Sequence, residues 1–188
     1  MGHGRIKLDV ALIHYPVCNK QGETIGSAVT NLDIHDIARA GRTFGVNNVY
    51  IVTPYEDQQT LVQEILDHWI VGYGAKKNKD RKEALSIVRI CGSLQSLLQE
   101  VEKKWGERPF VMATCAAGGS DTLGYKEVQE EILAGKPHLL LFGTAWGLAP
   151  EIFAAVAGTL PPIIGCGQYN HLSVRSAVAI ILDRLLGE

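Results

Sequence analysis

Several large protein classes are excluded by what this chain lacks. No apolar run approaches the roughly 20 residues that a membrane-spanning helix needs. The opening ten residues hold no signal-peptide core, and Ile6 stands where myristoylation at Gly2 would want Ser or Thr. A cytoplasmic protein with no membrane partner is expected. Cys18, Cys91, Cys115 and Cys166 form no CxxC pair and match no zinc spacing, so they read as reduced structural thiols, and no metal site is expected. No GxxxxGK[ST] occurs, which removes a P-loop. Neither charge sign dominates: the net charge is −2, so any RNA contact must come from a local patch, and DNA is not expected as a partner. There is no internal repeat, linker or low-complexity tract, so residues 1–188 read as one domain.

What is present is ordinary globular material, 46% hydrophobic and 20% charged. Short runs rich in Val, Ile and Leu occur at 8–13, 49–52, 86–90, 110–113, 139–142 and 162–164. Most are nearly continuous in apolar residues, as strands buried on both faces require. Between them lie stretches of helical period at 56–71, 94–105, 127–133, 151–157 and 170–186, with a further helix over 32–44 that Asn31 or Asp33 would cap. Residues 72–84 read as a long polar loop, and 16–30 as a lid, a substrate-facing segment or a connector. The alternation implies an α/β domain with a mainly parallel sheet flanked by helices. Ligands in such sheets bind beyond the carboxyl ends of the strands.

Three late strands each run into a loop of small residues. These are 114–119 (Thr-Cys-Ala-Ala-Gly-Gly), 143–148 (Gly-Thr-Ala-Trp-Gly-Leu) and 165–170 (Gly-Cys-Gly-Gln-Tyr-Asn). Small residues after parallel strands let a ligand approach the backbone closely. One such loop reads as a tight turn, whereas three in succession point to a cofactor site. The last loop lacks the third glycine of a dinucleotide fingerprint and lies near the C-terminus, not after the first strand. The set suits a ligand held by backbone amides and carbonyls, such as adenosine.

Pro161-Pro162-Ile163-Ile164-Gly165, with His171-Leu172-Ser173-Val174-Arg175-Ser176-Ala177, resembles the last motif of the SPOUT, or α/β-knot, methyltransferases. The segment 139–148 is similar to the preceding family motif, in the version of the tRNA guanine-N1 branch. Asp33, Asp36, Ile37, Arg39 and Ala40, with Phe44-Gly45-Val46, resemble the first motif of the ribose 2′-O branch. The resemblance covers about 30–186 and implies a deep C-terminal trefoil knot, a homodimer, and S-adenosylmethionine (SAM) as cofactor. On it, Thr114, Cys115, Ala116, Gly143, Thr144, Trp146, Gly147, Ile163, Ile164, Gly165, Gly167, Asn170, His171, Leu172 and Ser173 are expected to bind SAM. Asp33 and Ser173 stand where the family has Asn, and the Glu of the ribose branch is missing, so the acceptor atom stays open.

Arg39 is the expected catalytic residue. His35, Arg39 and Arg42 fall on one helix face, which suits an RNA phosphate, with Ile34, Ile37, Ala38 and Gly41 left to pack. By the resemblance, Arg39 helps activate a ribose 2′-hydroxyl. Arginine stays protonated, so orienting a phosphate or stabilising the developing alkoxide fits it better than acting as a base. Asn170 and Ser173 would cap the last helix or serve the pocket, and His171 is a secondary candidate for proton transfer. Tyr169 would stack on a base or cover the pocket. Lys76 and Lys77 open the only dense basic run, 76–82, a candidate phosphate contact. The expected function is methylation of tRNA or rRNA from SAM, with the ribose 2′-hydroxyl favoured through Arg39. A guanine base, SAM or RNA binding without catalysis, and an unrelated nucleotide-binding protein remain alternatives.

Overall fold

The structure is a computed structural model and describes residues 6–116, 118, 122–167 and 169–187. In chain order its elements are β1 (Leu8–Ile13), β2 (Val17–Cys18), β3 (Thr24–Ile25), α1 (Asn31–Thr43), β4 (Val49–Val52), α2 (Glu56–Ile70), α3 (Tyr73–Lys77), α4 (Lys79–Leu85), β5 (Val88–Cys91), α5 (Leu94–Trp105), β6 (Phe110–Thr114), α6 (Tyr125–Leu133), β7 (His138–Gly143), a 3-10 turn (Pro150–Ala155), β8 (Gly158–Leu160) and α7 (Val174–Leu186). Six strands form one parallel sheet in the order β5-β4-β1-β7-β6-β8, and β2 and β3 form a small antiparallel hairpin.

Period-two alternation with both faces apolar makes the layers. On β1, Leu8, Val10 and Leu12 face α1, α2, α4, α6 and α7, while Ala11 and Ile13 face α5 and the 3-10 turn. Leu140 and Phe142 on β7 join the first layer, and Leu139 and Leu141 the second. The domain is therefore an α/β/α sandwich, as the alternation implied. Among the described residues no helix is long and apolar enough to cross a membrane.

Several expectations are corrected. The last strand is Gly158–Leu160, not 162–164. Pro161 and Pro162 have no N–H to give to a ladder, so pairing stops before them. Residues 72–84 are not a loop but contain α3 and most of α4. Asn78 caps α4 by accepting from the Arg81 amide at 2.9 Å, and Ala84 and Leu85 are buried beneath the polar surface. Ser86 closes α4 and does not start β5. The cap of α1 is Thr30, which accepts from the Asp33 amide at 3.3 Å; it is neither Asn31 nor Asp33. Residues 151–157 form no α-helix, only the 3-10 turn, and α7 begins at Val174, leaving 170–173 in the preceding loop.

One polar cluster pins the second helical layer to the sheet. Asp9 is fully buried on β1. Its carboxylate accepts from Lys104 Nζ at 2.7 Å, Trp105 Nε1 at 2.8 Å and the Asn48 amide at 2.9 Å. A buried carboxylate is tolerable only when so satisfied, and its removal leaves donors unpaired. Asp9→Ala is expected to cost about 2–4 kcal/mol. Urea unfolding checks this, and a loss below ~1 kcal/mol would show that water replaces the carboxylate freely.

Candidate functional site

The three glycine loops leave the same edge of the sheet because their strands are neighbours. β7, β6 and β8 lie side by side in the sheet, all parallel, so their carboxyl ends share one edge. The loop after β8 crosses to the loop after β6: Asn170 Nδ2 donates to the Ala116 carbonyl at 3.0 Å. A Cβ on Gly118 would lie 3.9 Å from the Pro162 ring. Tyr125 Oη holds the same crossing by donating to the Pro161 carbonyl at 2.9 Å. Asn170 thus joins two loops and caps no helix. Ser173 occupies the first cap position of α7, but its hydroxyl pairs with Ser176 Oγ at 2.8 Å and accepts from no backbone amide. Ala117, Gly119 and Gln168, also part of these loops, lie outside the described residues.

The loops differ in what their small residues do. In 143–148 they serve the loop itself. A Cβ on Gly143 would meet the Leu148 amide nitrogen at 2.5 Å, so the loop folds back onto its own strand. Ala145 (φ 51°) and Gly147 (φ 107°) complete this tight turn. Trp146 donates its amide to the Cys18 carbonyl at 3.0 Å, and the Cys18 amide returns to the Gly147 carbonyl at 2.9 Å. The segment 16–30 is therefore clasped to the pocket loop through β2. Unlike Gly143, but like Gly147, Gly165 and Gly167 in the last loop have no described atom within 4 Å of a Cβ built on them. Those two glycines leave room that the chain does not use. Thr114 is half-buried and donates to the Leu141 carbonyl at 3.2 Å, and Cys115 and Ala116 follow it at the pocket edge. Ile163 packs on the core, while Ile164, Tyr169, His171 and Leu172 are exposed, with the Tyr169 and His171 rings edge to face at 5.4 Å.

Beside these loops, where β1 and β7 meet, a polar chain runs inward. Thr144 Oγ1 donates to the Ile13 carbonyl at 3.0 Å and lies 2.5 Å from Ser27 Oγ. Ser27 Oγ lies 3.1 Å from His14 Nδ1. With the Thr144 proton on Ile13 and the Ser27 proton on Thr144, Nδ1 must carry the imidazole proton. Nε2 is then a bare acceptor, fully buried and without a hydrogen bond among the described residues. Burial pushes the His14 imidazole below its ordinary 6.5, and Asp33 with the Ser27 and Ala28 carbonyls reverses only part of this.

The first and last motifs also meet. Arg175, in the first turn of α7, lies 3.3 Å from Asp33 Oδ1 and 3.5 Å from Asp36 Oδ2 at the start of α1. Arg39, Arg42 and His35 point elsewhere. Arg39 and Arg42 line a groove with Thr43, Asp80, Glu83 and Ala84, and none of the pocket-loop residues borders it. Arg42 is held by Glu83 at 2.5 Å. His35 meets Trp69 edge-on at 5.5 Å. Lys76 and Lys77 lie on α3 and do not line that groove. Sequence reasoning missed Arg175, Ser27 and His14. Arg175 had a signal: a cation in a helix's first turn is disfavoured by the helix dipole and calls for carboxylates. Ser27 and His14 had none beyond position.

A folded-state pKa below the unfolded value means that the unfolded chain binds protons first as pH falls through 6.5. Stability should therefore drop between about pH 7 and pH 5.5. His14→Asn keeps a donor near the Nδ1 position and removes the titration, so its melting temperature should depend less on pH. Some slope should persist, because His35 is also pushed down, mainly by burial and then by Arg81. Parallel wild-type and variant profiles would contradict this assignment.

Residues 7–187 match the family described as SAM-dependent RNA methyltransferase. A tRNA (guanine-N(1)-)-methyltransferase of Oleidesulfovibrio alaskensis is 48% identical over 178 residues, 95% of this chain but 41% of that protein. The chain thus spans about two fifths of that relative's length. An uncharacterised protein of Aquifex aeolicus is 39% identical over 177 residues, covering 94% of this chain and 86% of its own length. The SpoU methyltransferase AviRb from Streptomyces viridochromogenes, solved with AdoMet, shares the fold with a TM-score of 0.57 and 16% identity, over 97% of this chain and 58% of that one. The chain therefore belongs to the SAM-dependent RNA methyltransferases, and it shares its fold with the SpoU methyltransferase AviRb.

Proposed function

We propose that this chain transfers the methyl group of SAM to a guanine base of tRNA, with SAM held among the loops 114–118, 143–148 and 161–173. The contact between the first and last of those loops carries the reading: Asn170 reaches the Ala116 carbonyl, and Cβ positions on Gly165 and Gly167 meet no described atom within 4 Å. The exposed backbone around those glycines fits an adenosine held by amides and carbonyls. SAM supplies an already activated methyl, so positioning does much of the catalysis. The S–CH3 bond breaks as the N–CH3 bond forms, S-adenosylhomocysteine leaves, and the ring proton passes to a base. His171, exposed beside the pocket, is the candidate acceptor.

A guanine base replaces the ribose hydroxyl as the favoured acceptor. The relatives named for guanine-N1 methylation support it. The ribose reading rested on Arg39, which lies in the groove with Asp80 and Glu83; in that reading Arg39 orients a phosphate. A homodimer belongs to the proposal. Trp146 (62% exposed), Ile164 (77%) and Tyr169 (80%) put apolar surface around the pocket that a second copy would cover. The trefoil knot belongs to it too, supported by the contact of Asn170, after β8, with Ala116, after β6.

Because the relatives' reaction is named for chains more than twice as long, the test uses this chain alone. Tritiated SAM and tRNA should give labelled RNA whose digest contains 1-methylguanosine by mass spectrometry. A 2′-O-methylnucleoside would restore the ribose reading, and no label with intact SAM binding would remove catalysis. Gly165→Val should fold normally, since nothing lies within 4 Å of the new Cβ. It should weaken S-adenosylhomocysteine binding at least tenfold by calorimetry. Wild-type affinity in that variant would place the cofactor elsewhere.

A further inference from the structure

The basic run 76–82 carries Lys76, Lys77, Lys79, Arg81 and Lys82 against one acid, Asp80, in a chain whose net charge is −2. The fold turns this run into a surface. It does not lie along one solvated loop, because α3 and α4 fold back on the end of α2. Gly74 permits that approach: a Cβ there would sit 2.6 Å from the Trp69 ring. Trp69 is then packed by cations and edges. The Arg81 guanidinium lies 4.4 Å from its ring centre, with His68 and His35 edge-on at 4.9 and 5.5 Å. Tyr73, 67% exposed, opens α3 with Lys77 Nζ 5.4 Å from its ring centre.

The charges on this corner are not spent internally. Lys76, Lys77, Lys79 and Lys82 form no ion pair among the described residues, and Arg81 lies on a ring, not on a carboxylate. Three acids of α2 and α4 make contacts of their own. Glu83 holds Arg42, Asp80 lines the groove on the α1 side, and Asp67 accepts from Gln63 at 2.7 Å. Four unpaired lysines beside an exposed tyrosine combine a polyanion's charge complement with a stacking platform.

The surface is also set apart from the pocket. The helices α2, α3 and α4 connect β4 to β5 at one side of the sheet, whereas the loops rise from β7, β6 and β8 at the other. At a strand spacing of ~4.8 Å, β5 and β6 are roughly 19 Å apart. A ligand touching both places must be extended.

We infer that the α2–α3–α4 corner, with Tyr73 as stacking platform and Lys76, Lys77 and Arg81 as phosphate contacts, is an RNA-docking surface outside the methyl-transfer pocket, binding the sugar-phosphate backbone and one unstacked base of an extended RNA. This rests on the RNA-methyltransferase reading. The ribose or guanine outcome does not bear on it.

Fluorescence anisotropy of the whole chain with labelled, unmodified tRNA transcript, at salt from about 50 to 200 mM, tests the inference. The double variant Lys76→Ala/Lys77→Ala should bind about tenfold more weakly at the low-salt end, and its log–log salt slope should shrink by about 1.5. Tyr73→Ala should lose about fivefold or more with the slope unchanged, and Tyr73→Phe should recover it. S-adenosylhomocysteine binding should stay at the wild-type value in all three, which also controls for folding. Unchanged tRNA affinity and slope in both alanine variants would overturn the inference and leave the transferase reading standing. Competition by poly-L-glutamate as effective as tRNA at equal charge would also overturn it, in favour of an acidic protein partner. Failure of the wild-type chain to bind tRNA at all would remove the RNA reading along with it.

Discussion

The pairing of β1 with β7 is the contact on which the rest depends. Six residues of the first strand, Leu8 to Ile13, lie in register with His138 to Gly143, about 130 residues later in the chain. That long-range parallel pairing splits the sheet. From β1 the chain builds outward through β4 and β5, and on the other side β7, β6 and β8 lie together. In doubly wound sheets the crevice at such a reversal is where ligands bind. Here it is filled partly by the protein itself, with His14, Ser27 and Thr144 running inward at the seam. Parallel ladders close such a distance at a cost in loop entropy, which burial on both sheet faces must offset.

The same split separates two kinds of chemistry. On the β7–β6–β8 side the chain presents backbone, open glycines and exposed apolar rings, a surface suited to a neutral, shape-read ligand such as adenosine. On the β4–β5 side it presents unpaired cations beside an aromatic ring, suited to phosphate and a base. A net charge near zero conceals this division, because it sums 18 lysines and arginines against 20 acids without regard to place. Arg175 links the halves. It ties the start of α7, which follows the pocket loop, to Asp33 and Asp36 at the start of α1. A half-exposed pair of this kind adds little stability, and its value is in fixing where the two helix starts lie.

Much of the fold was legible before any coordinates. The strand runs at 8–13, 49–52, 110–113 and 139–142 and the helix at 94–105 emerge almost as read, because burial on both faces leaves an unbroken apolar run and burial on one leaves a helical stripe. The errors fall where local chemistry competes with periodicity. Prolines at 161 and 162 end a strand that hydropathy alone would extend, and the polar run 72–84 hides a cap at Asn78 and two buried residues. The glycine loops were legible as loops after late strands, but not the different surroundings of their glycines. Gly143 serves its own turn, whereas Gly165 and Gly167 leave empty room, and only the atoms around each Cβ separate the two cases.

By itself, then, the sequence determined the layer architecture, the three loops and the family to which they point, because hydrophobic period and small-residue punctuation are local properties of the chain. Tertiary structure alone decided which loops touch, where Arg39 and Arg42 point, that Arg175 meets Asp33, and that His14 is buried with one free nitrogen. Those facts depend on contacts between residues 41 to 142 positions apart, or on neighbours brought in by the sheet order. No local pattern encodes such a distance. The basic run 76–82 shows both sides: its charge was plain in the sequence, but its joining with Trp69 and Tyr73 into one surface required the fold-back that Gly74 allows.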